Sequence, residues 1–216
     1  VTPQKVERFY DTVAPLYGFW ARLTESRAAR RALEVAALQP GESVLEVGLG
    51  TGEFFSRLSI AAKDGRCVGL DLSAGMLRRA RRRLDAKGGA GWLCRGDACQ
   101  LPFPAASFDV VFGCYMLDLL PEADIHRALA EFFRVTKPQG RLAAVVMARQ
   151  ARAFDAIWMW GYRHAPTLVG GCRPVALAPE LAATGWRIEV AEKISQNGFR
   201  SELILARPLR LEERAA

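Results

Sequence analysis

Seven consecutive residues, Glu46-Val47-Gly48-Leu49-Gly50-Thr51-Gly52, carry the strongest chemical signal in this chain. An apolar run from Ser43 to Val47 precedes the glycines and reads as a buried strand, and a helical pattern follows from Glu53 to Ala62. Glycine at such a strand-to-helix turn lets the chain reverse sharply and lets a ligand touch the backbone. A dinucleotide fingerprint has the spacing Gly-x-Gly-x-x-Gly and seats a pyrophosphate on the helix N-terminus. Here the spacing is Gly-x-Gly-x-Gly, and Glu53 stands where the third dinucleotide glycine would be. Glu46 and Glu53 would repel a pyrophosphate. They are compatible with S-adenosylmethionine, which has no phosphate and carries an ammonium and a sulfonium.

Two further acids extend the site. Asp71 ends a second strand, Arg66 to Asp71, 19 residues after Gly52. A carboxylate there can accept hydrogen bonds from both ribose hydroxyls, the logic of the acid in dinucleotide folds; a helix-capping or solvated aspartate is the alternative. Met76, one helical turn on, would lie against an adenine or serve as core. Gly96-Asp97-Ala98 follows a third strand, where Asp97 can bond an adenine amino group or form a turn.

The elements that must position these residues alternate. Helices are expected over residues 4–14 and 20–37. After Ala62 a helix capped by Ser73 runs to Lys87 and ends at Gly88-Gly89. Trp92 to Arg95 and Phe108 to Phe112 are the third and fourth strands. A helix over Asp124 to Val135 stops at Lys137-Pro138-Gln139-Gly140, and Arg141 to Met147 is the fifth strand. Trp186 to Lys193 and Ser201 to Arg207 read as a closing hairpin on the sheet edge. The pattern predicts an α/β fold: a Rossmann-like, doubly wound, mostly parallel seven-stranded sheet with an antiparallel strand near one edge. We read residues 1–216 as one domain. Its parts are N-terminal lid helices (1–37), a cofactor-binding core (43–148), a substrate-lid insertion (151–175) and closing strands (185–207).

Together these segments resemble the class I S-adenosylmethionine-dependent methyltransferases, and within them the ubiquinone/menaquinone-biosynthesis type. Phe9-Tyr10-Asp11-Thr12-Val13-Ala14-Pro15-Leu16-Tyr17 resembles that family's N-terminal lid. Leu70-Asp71-Leu72-Ser73-Ala74-Gly75-Met76-Leu77 resembles its second motif. Gly96-Asp97-Ala98, Leu101-Pro102-Phe103, Phe108-Asp109-Val110-Val111 and Arg134-Val135-Thr136-Lys137-Pro138 complete the series. The resemblance implies that Glu46, Gly48, Leu49, Gly50, Thr51 and Gly52 surround the methionyl part of the donor. Asp71 and Leu72 would hold the ribose; Met76, Gly96, Asp97 and Ala98 would face the adenine. Tyr10 and Tyr17 would close over the cofactor, and Cys114 and Tyr115 would look toward the transferred methyl. The chain departs from the family at Gly18, at Gln139 and at Leu117-Asp118-Leu119, where quinone methyltransferases carry Leu-Arg-Asn.

Methyl transfer from a sulfonium needs positioning and exclusion of water more than a dedicated nucleophile. A general base is needed only for a protonated acceptor, with Tyr115, Asp118, His126 and His164 as candidates. The stretch from Ala151 to Val175 is dense in aromatics, Phe154, Trp158, Trp160 and Tyr162 with Met159. It reads as an apolar acceptor pocket or lipid-facing surface, or else as a helix packed on the sheet. Arg78-Arg79-Ala80-Arg81-Arg82-Arg83 reads as a solvated helix face, with contact to anionic membrane or RNA as the alternative.

Composition sets the outer limits. A formal charge of +7 permits acidic partners without defining any. The five cysteines, Cys67, Cys94, Cys99, Cys114 and Cys172, form no Cys-x-x-Cys pair, so neither a disulfide framework nor a metal site is expected. Free thiols and the lack of a secretory pattern in the first residues point to the cytoplasm, with peripheral membrane contact as a further reading. The expected function is methylation of a small lipophilic acceptor, a quinone-like ring or a lipid amine. No nucleic-acid module and no obligate protein partner is evident. An RNA methyltransferase and a non-catalytic cofactor-binding domain are the alternatives.

Overall fold

A computed structural model describes residues 26–62, 64–150, 152–164 and 171–209. The expected helix over 4–14, together with Tyr10 and Tyr17, lies outside them. The described chain opens with α1 (Ser26–Ala36), in which Ala28, Ala32 and Ala36 recur every fourth residue and are buried. Small side chains at that spacing let the helix lie close against the sheet. Then come β1 (Val44–Val47), α2 (Glu53–Ala61), β2 (Cys67–Asp71), α3 (Ala74–Ala86) and β3 (Trp92–Arg95). β4 (Phe108–Cys114) leads through a 3-10 turn at Leu117–Leu119 to α4 (Glu122–Val135) and β5 (Thr136–Met147). α5 (Arg152–His164), α6 (Leu177–Ala183) and the hairpin of β6 (Trp186–Gln196) and β7 (Phe199–Pro208) complete it.

The sheet has the order β3-β2-β1-β4-β5-β7-β6. β1 to β5 are parallel, and β7 runs antiparallel to both neighbours. β1 and β2 are buried along their whole length, as parallel strands covered on both faces must be. One apolar layer joins α1, α2 and α3 to one face through Phe55, Leu58, Leu84 and Phe112. The other joins α4 and α6 to the opposite face through Phe132, Leu129, Leu181 and Trp186.

Several elements fall where expected. Ser73 caps α3 by accepting the Met76 N–H at 3.1 Å, and Gly88 ends that helix with φ of 63°. The fifth strand differs. It begins at Thr136, directly after α4, and regular pairing resumes at Val110 opposite Arg141 after a register shift. The Thr136 hydroxyl donates to Phe132 O at 2.6 Å and Lys137 pairs with Asp109 at 2.7 Å, so the segment stays extended despite Pro138 and Gly140. The closing strands are longer than their apolar patterns because the turn is tight. Asn197 and Gly198 both have positive φ, 51° and 82°, as a two-residue hairpin turn requires.

At the opposite end from the glycine loop, Arg141 locks β5 to α1. Its guanidinium donates to Ala36 O at 2.5 Å, to Ala37 O at 3.1 Å and to both Glu42 oxygens at 2.8 Å. Among the described residues, no helix is long and apolar enough to cross a membrane.

Candidate active site

Because β1 to β5 run the same way, their carboxyl ends share one edge. β1 lies between β2 and β4, which is where the order of strands reverses, and such a switch point opens a crevice. A cleft of about 540 Å³ lies there. Its lining includes Glu46, Gly48, Leu49, Gly50 and Thr51 from the first loop, and Asp71, Leu72 and Met76 from the second. Gly96, Asp97 and Ala98 follow β3, and Cys114 and Tyr115 end β4. Twelve of the residues picked from sequence as donor contacts therefore converge on one cavity. Gly52 does not line it. A Cβ at Gly52 would stand 2.8 Å from Ala80 Cβ, so this glycine serves the approach of the loop to α3. Gly50 is the reverse case: φ is 54° and a Cβ there would meet nothing within 4 Å, which leaves its face open toward the cleft.

Asp71 holds the loop in shape. One carboxylate oxygen accepts the Gly50 N–H at 2.8 Å and the other accepts the Ser73 N–H at 2.9 Å. A carboxylate offers about four acceptor positions in all. Glu46 is 3% exposed, and its Oε2 has no hydrogen-bond partner. Burial, and then the nearby Asp71 charge, push its carboxyl well above the usual range. A buried acceptor without a donor is costly unless a ligand supplies one. An ammonium group supplies both the hydrogen bond and the charge. The open face of Gly50 and the orphaned oxygen of Glu46 thus fit the methionyl end of S-adenosylmethionine.

Asp97 lines the cleft, and its Oδ1 accepts the Cys99 N–H at 2.8 Å as a turn residue. The base candidates separate. Tyr115 borders the cleft, with its hydroxyl 2.6 Å from that of Ser201. Asp118 is fully buried outside the lining; its Oδ2 accepts the Met147 N–H at 2.9 Å, and burial pushes it up to about 7. His126 faces Glu180 at 3.5 Å on α4, and His164 stacks on Trp160 at the exposed side of α5. None of Asp118, His126 and His164 lines the cleft. In α5, Trp158 packs between Phe154 and Phe199 and donates to Cys172 O, whereas Tyr162 reaches the cleft wall.

Arg83 departs from the solvated face expected of its neighbouring arginines and grips the glycine loop. Its guanidinium donates to Thr51 O and Thr51 Oγ1, both at 2.8 Å, and lies 3.4 Å from Glu53. The spacing carried this signal: Met76, Ala80 and Arg83 recur at helical intervals and so share a face. Among the described residues, no group of three His, Cys, Asp or Glu is placed to hold a metal ion.

The reversed β7 beside β5, with an acidic glycine loop at the switch point, defines a Rossmann-like methyltransferase architecture. Residues 44–140 match the methyltransferase domain family. Over 167 residues the chain is 30% identical to the demethylmenaquinone methyltransferase of Thermus thermophilus, covering 75% of each protein. It is 33% identical over 172 residues to the enzyme of that name from Deinococcus radiodurans, covering 77% of this chain and 70% of the relative. The fold is shared with the [4+2]-cyclase SpnF at a TM-score of 0.79 and 20% identity, covering 97% of each chain. The chain belongs to the class I S-adenosylmethionine-dependent methyltransferases and is an enzyme of that kind.

Proposed function

We propose that this enzyme transfers the methyl group of S-adenosylmethionine to a small lipophilic acceptor, a quinone-like ring or a lipid amine. The carrying observation is the mixed lining of the cleft. The acids Glu46, Asp71 and Asp97 share it with the apolar and aromatic side chains of Phe54, Tyr115, Met116, Leu119, Leu120 and Tyr162. The names of the Thermus and Deinococcus relatives favour the ring.

In this reading Glu46 holds the donor's ammonium, Asp71 the ribose and Asp97 the adenine. The bound donor supplies an activated methyl on its sulfonium. The protein orients the acceptor in line with that methyl and keeps water out. The apolar wall does both, with Tyr162 as the contribution of the 151–175 lid segment. Tyr115 shapes the floor at the end of β4. With its hydroxyl engaged by Ser201, it acts through position rather than as a free base.

Calorimetric titration with S-adenosylhomocysteine, with NAD as control, tests the donor site. One-site binding in the micromolar range, lost in Asp71→Ala and absent for NAD, is expected. Transfer of labelled methyl to 1,4-naphthoquinol and to a phospholipid amine, with bulk RNA in parallel, tests the acceptor class. Labelling of RNA alone would overturn the lipophilic reading. Donor binding with no transfer to any of the three would favour a cofactor-binding role without turnover.

A further inference from the structure

The stretch from Cys172 to Val175 is stitched to the ends of β4 and β5. The Arg173 N–H donates to Asp118 O, and the Val175 N–H donates to Met147 O, both at 3.1 Å. The Met147 N–H donates in turn to Asp118 Oδ2 at 2.9 Å, which closes a ring of bonds through the 3-10 turn, the end of β5 and this loop. None of Asp118, Met147, Arg173 and Val175 lines the cleft.

One side chain carries the ring to the cleft wall. The Arg173 guanidinium donates to Leu120 O at 2.9 Å, across 53 residues of chain. Leu120 caps the C-terminal end of the 3-10 turn, and Leu119, Leu120 and Pro121 line the cleft. The turn's own closing bonds there are long: Leu119 N–H to Met116 O at 3.3 Å and Leu120 N–H to Leu117 O at 3.2 Å. A cation on the last carbonyl of a helical turn satisfies an acceptor that the turn itself leaves open. The neighbouring residue reaches the other side of the wall. Cys172 O accepts the Trp158 indole N–H at 2.9 Å, and Tyr162, one turn further along α5, lines the cleft. Two portions of the wall, Tyr162 and Leu119-Leu120, are thus joined through the adjacent residues Cys172 and Arg173.

We propose that Arg173 is a positioning residue for the acceptor: its guanidinium holds the Leu119-Leu120 wall in register with Tyr162 and so sets the shape of the space that the acceptor fills. It acts through Leu120. The inference rests on the acceptor reading given above.

The wild type, Arg173→Gln and Arg173→Lys are compared by amide hydrogen exchange and by calorimetry. In Arg173→Gln, exchange at the Leu119 and Leu120 amides is expected to quicken at least about fivefold, on the scale of one charge-assisted hydrogen bond, while β1 keeps its protection. Lysine can still donate to Leu120 O, so Arg173→Lys should recover part of that protection. S-adenosylhomocysteine affinity should stay within about twofold in all three proteins, whereas 2-naphthol, titrated into protein saturated with S-adenosylhomocysteine, should bind Arg173→Gln at least about threefold more weakly, with partial recovery in Arg173→Lys. Unchanged exchange at Leu119 and Leu120 overturns the proposal. So does exchange that quickens equally in β1, or a parallel loss of S-adenosylhomocysteine, since Arg173 would then brace the whole fold. Faster exchange at the wall with undiminished 2-naphthol binding overturns the acceptor role. If the wild type binds S-adenosylhomocysteine but not 2-naphthol, the lipophilic-acceptor reading fails, and the exchange arm still decides whether Arg173 holds the wall.

Discussion

The phenolic oxygen of Tyr115 lies 2.6 Å from the hydroxyl of Ser201. The bond joins the residue just past β4 to the start of β7, two elements 86 residues apart. Tyr115 sits at φ of 54°, a left-handed conformation that costs a non-glycine residue free energy. Its N–H donates to Val145 O at 2.7 Å, so backbone and side chain are both fixed from β5 and β7. Replacing Tyr115 by Phe leaves the Ser201 hydroxyl buried with one partner fewer. A stability loss of about 1–2 kcal/mol is expected in chemical denaturation. The ring lines the cleft where the acceptor is proposed to sit, so KM for the acceptor should rise while S-adenosylhomocysteine affinity stays within about twofold.

Alanine at two glycines of one loop should give opposite phenotypes. At Gly52 the new methyl would meet Ala80 at 2.8 Å, and the φ of 75° is strained for alanine, so a loss of about 2 kcal/mol or more is expected. At Gly50 the methyl enters open space, and only the φ of 54° is adverse, about 1 kcal/mol. Gly50→Ala should therefore stay folded near room temperature yet bind S-adenosylhomocysteine at least about tenfold more weakly, the cost of a methyl set against the ligand. Thermal melts beside calorimetry distinguish the two.

Asp118 makes stability depend on pH. Burial lifts its pKa to about 7, so in the folded state it keeps a proton that the unfolded chain has already released. The favourable contribution is complete below the ordinary aspartate range and is lost as pH rises through about 7. The loss is on the order of 4 kcal/mol. Asparagine retains an oxygen for the Met147 N–H but does not titrate. Asp118→Asn should match the wild type near pH 4 and exceed it near pH 8 in denaturant midpoint. Parallel pH curves for the two proteins would refute the assignment.

Removing the Arg141 guanidinium is expected to be the most damaging of these changes. It satisfies Ala36 O, Ala37 O and both oxygens of Glu42 in a buried setting. Arg141→Ala would leave the α1 carbonyls and a largely buried carboxylate unmatched, for about 3–5 kcal/mol. Glu42→Gln should cost less, because it keeps an acceptor for the guanidinium. Denaturation midpoints of the two variants give the comparison.

The strand, glycine loop and helix from Ser43 to Ala62, the acid at Asp71 and the cap at Ser73 are all legible in the amino-acid order. Each of these is a local device: an apolar run, a backbone conformation open to glycine, a side chain bonding its own next turn. The seven strands and the reversed one were legible for the same reason. Local pattern could not tell that α6 forms, that Tyr162 turns to the cleft while Trp158 turns to Phe199, or that Arg83 leaves its solvated neighbours for Thr51. Nor could it show Asp118 as a buried brace for β5 instead of a cleft base. Asn197-Gly198 could have been read as the tight turn of the hairpin. The others depend on which elements meet far apart in the chain, as Arg83 meets Thr51 across 32 residues and Asp118 meets Met147 across 29. Only the packed sheet brings such pairs together, because a side chain's partners are set by the register and crossing of whole elements and not by its neighbours in sequence.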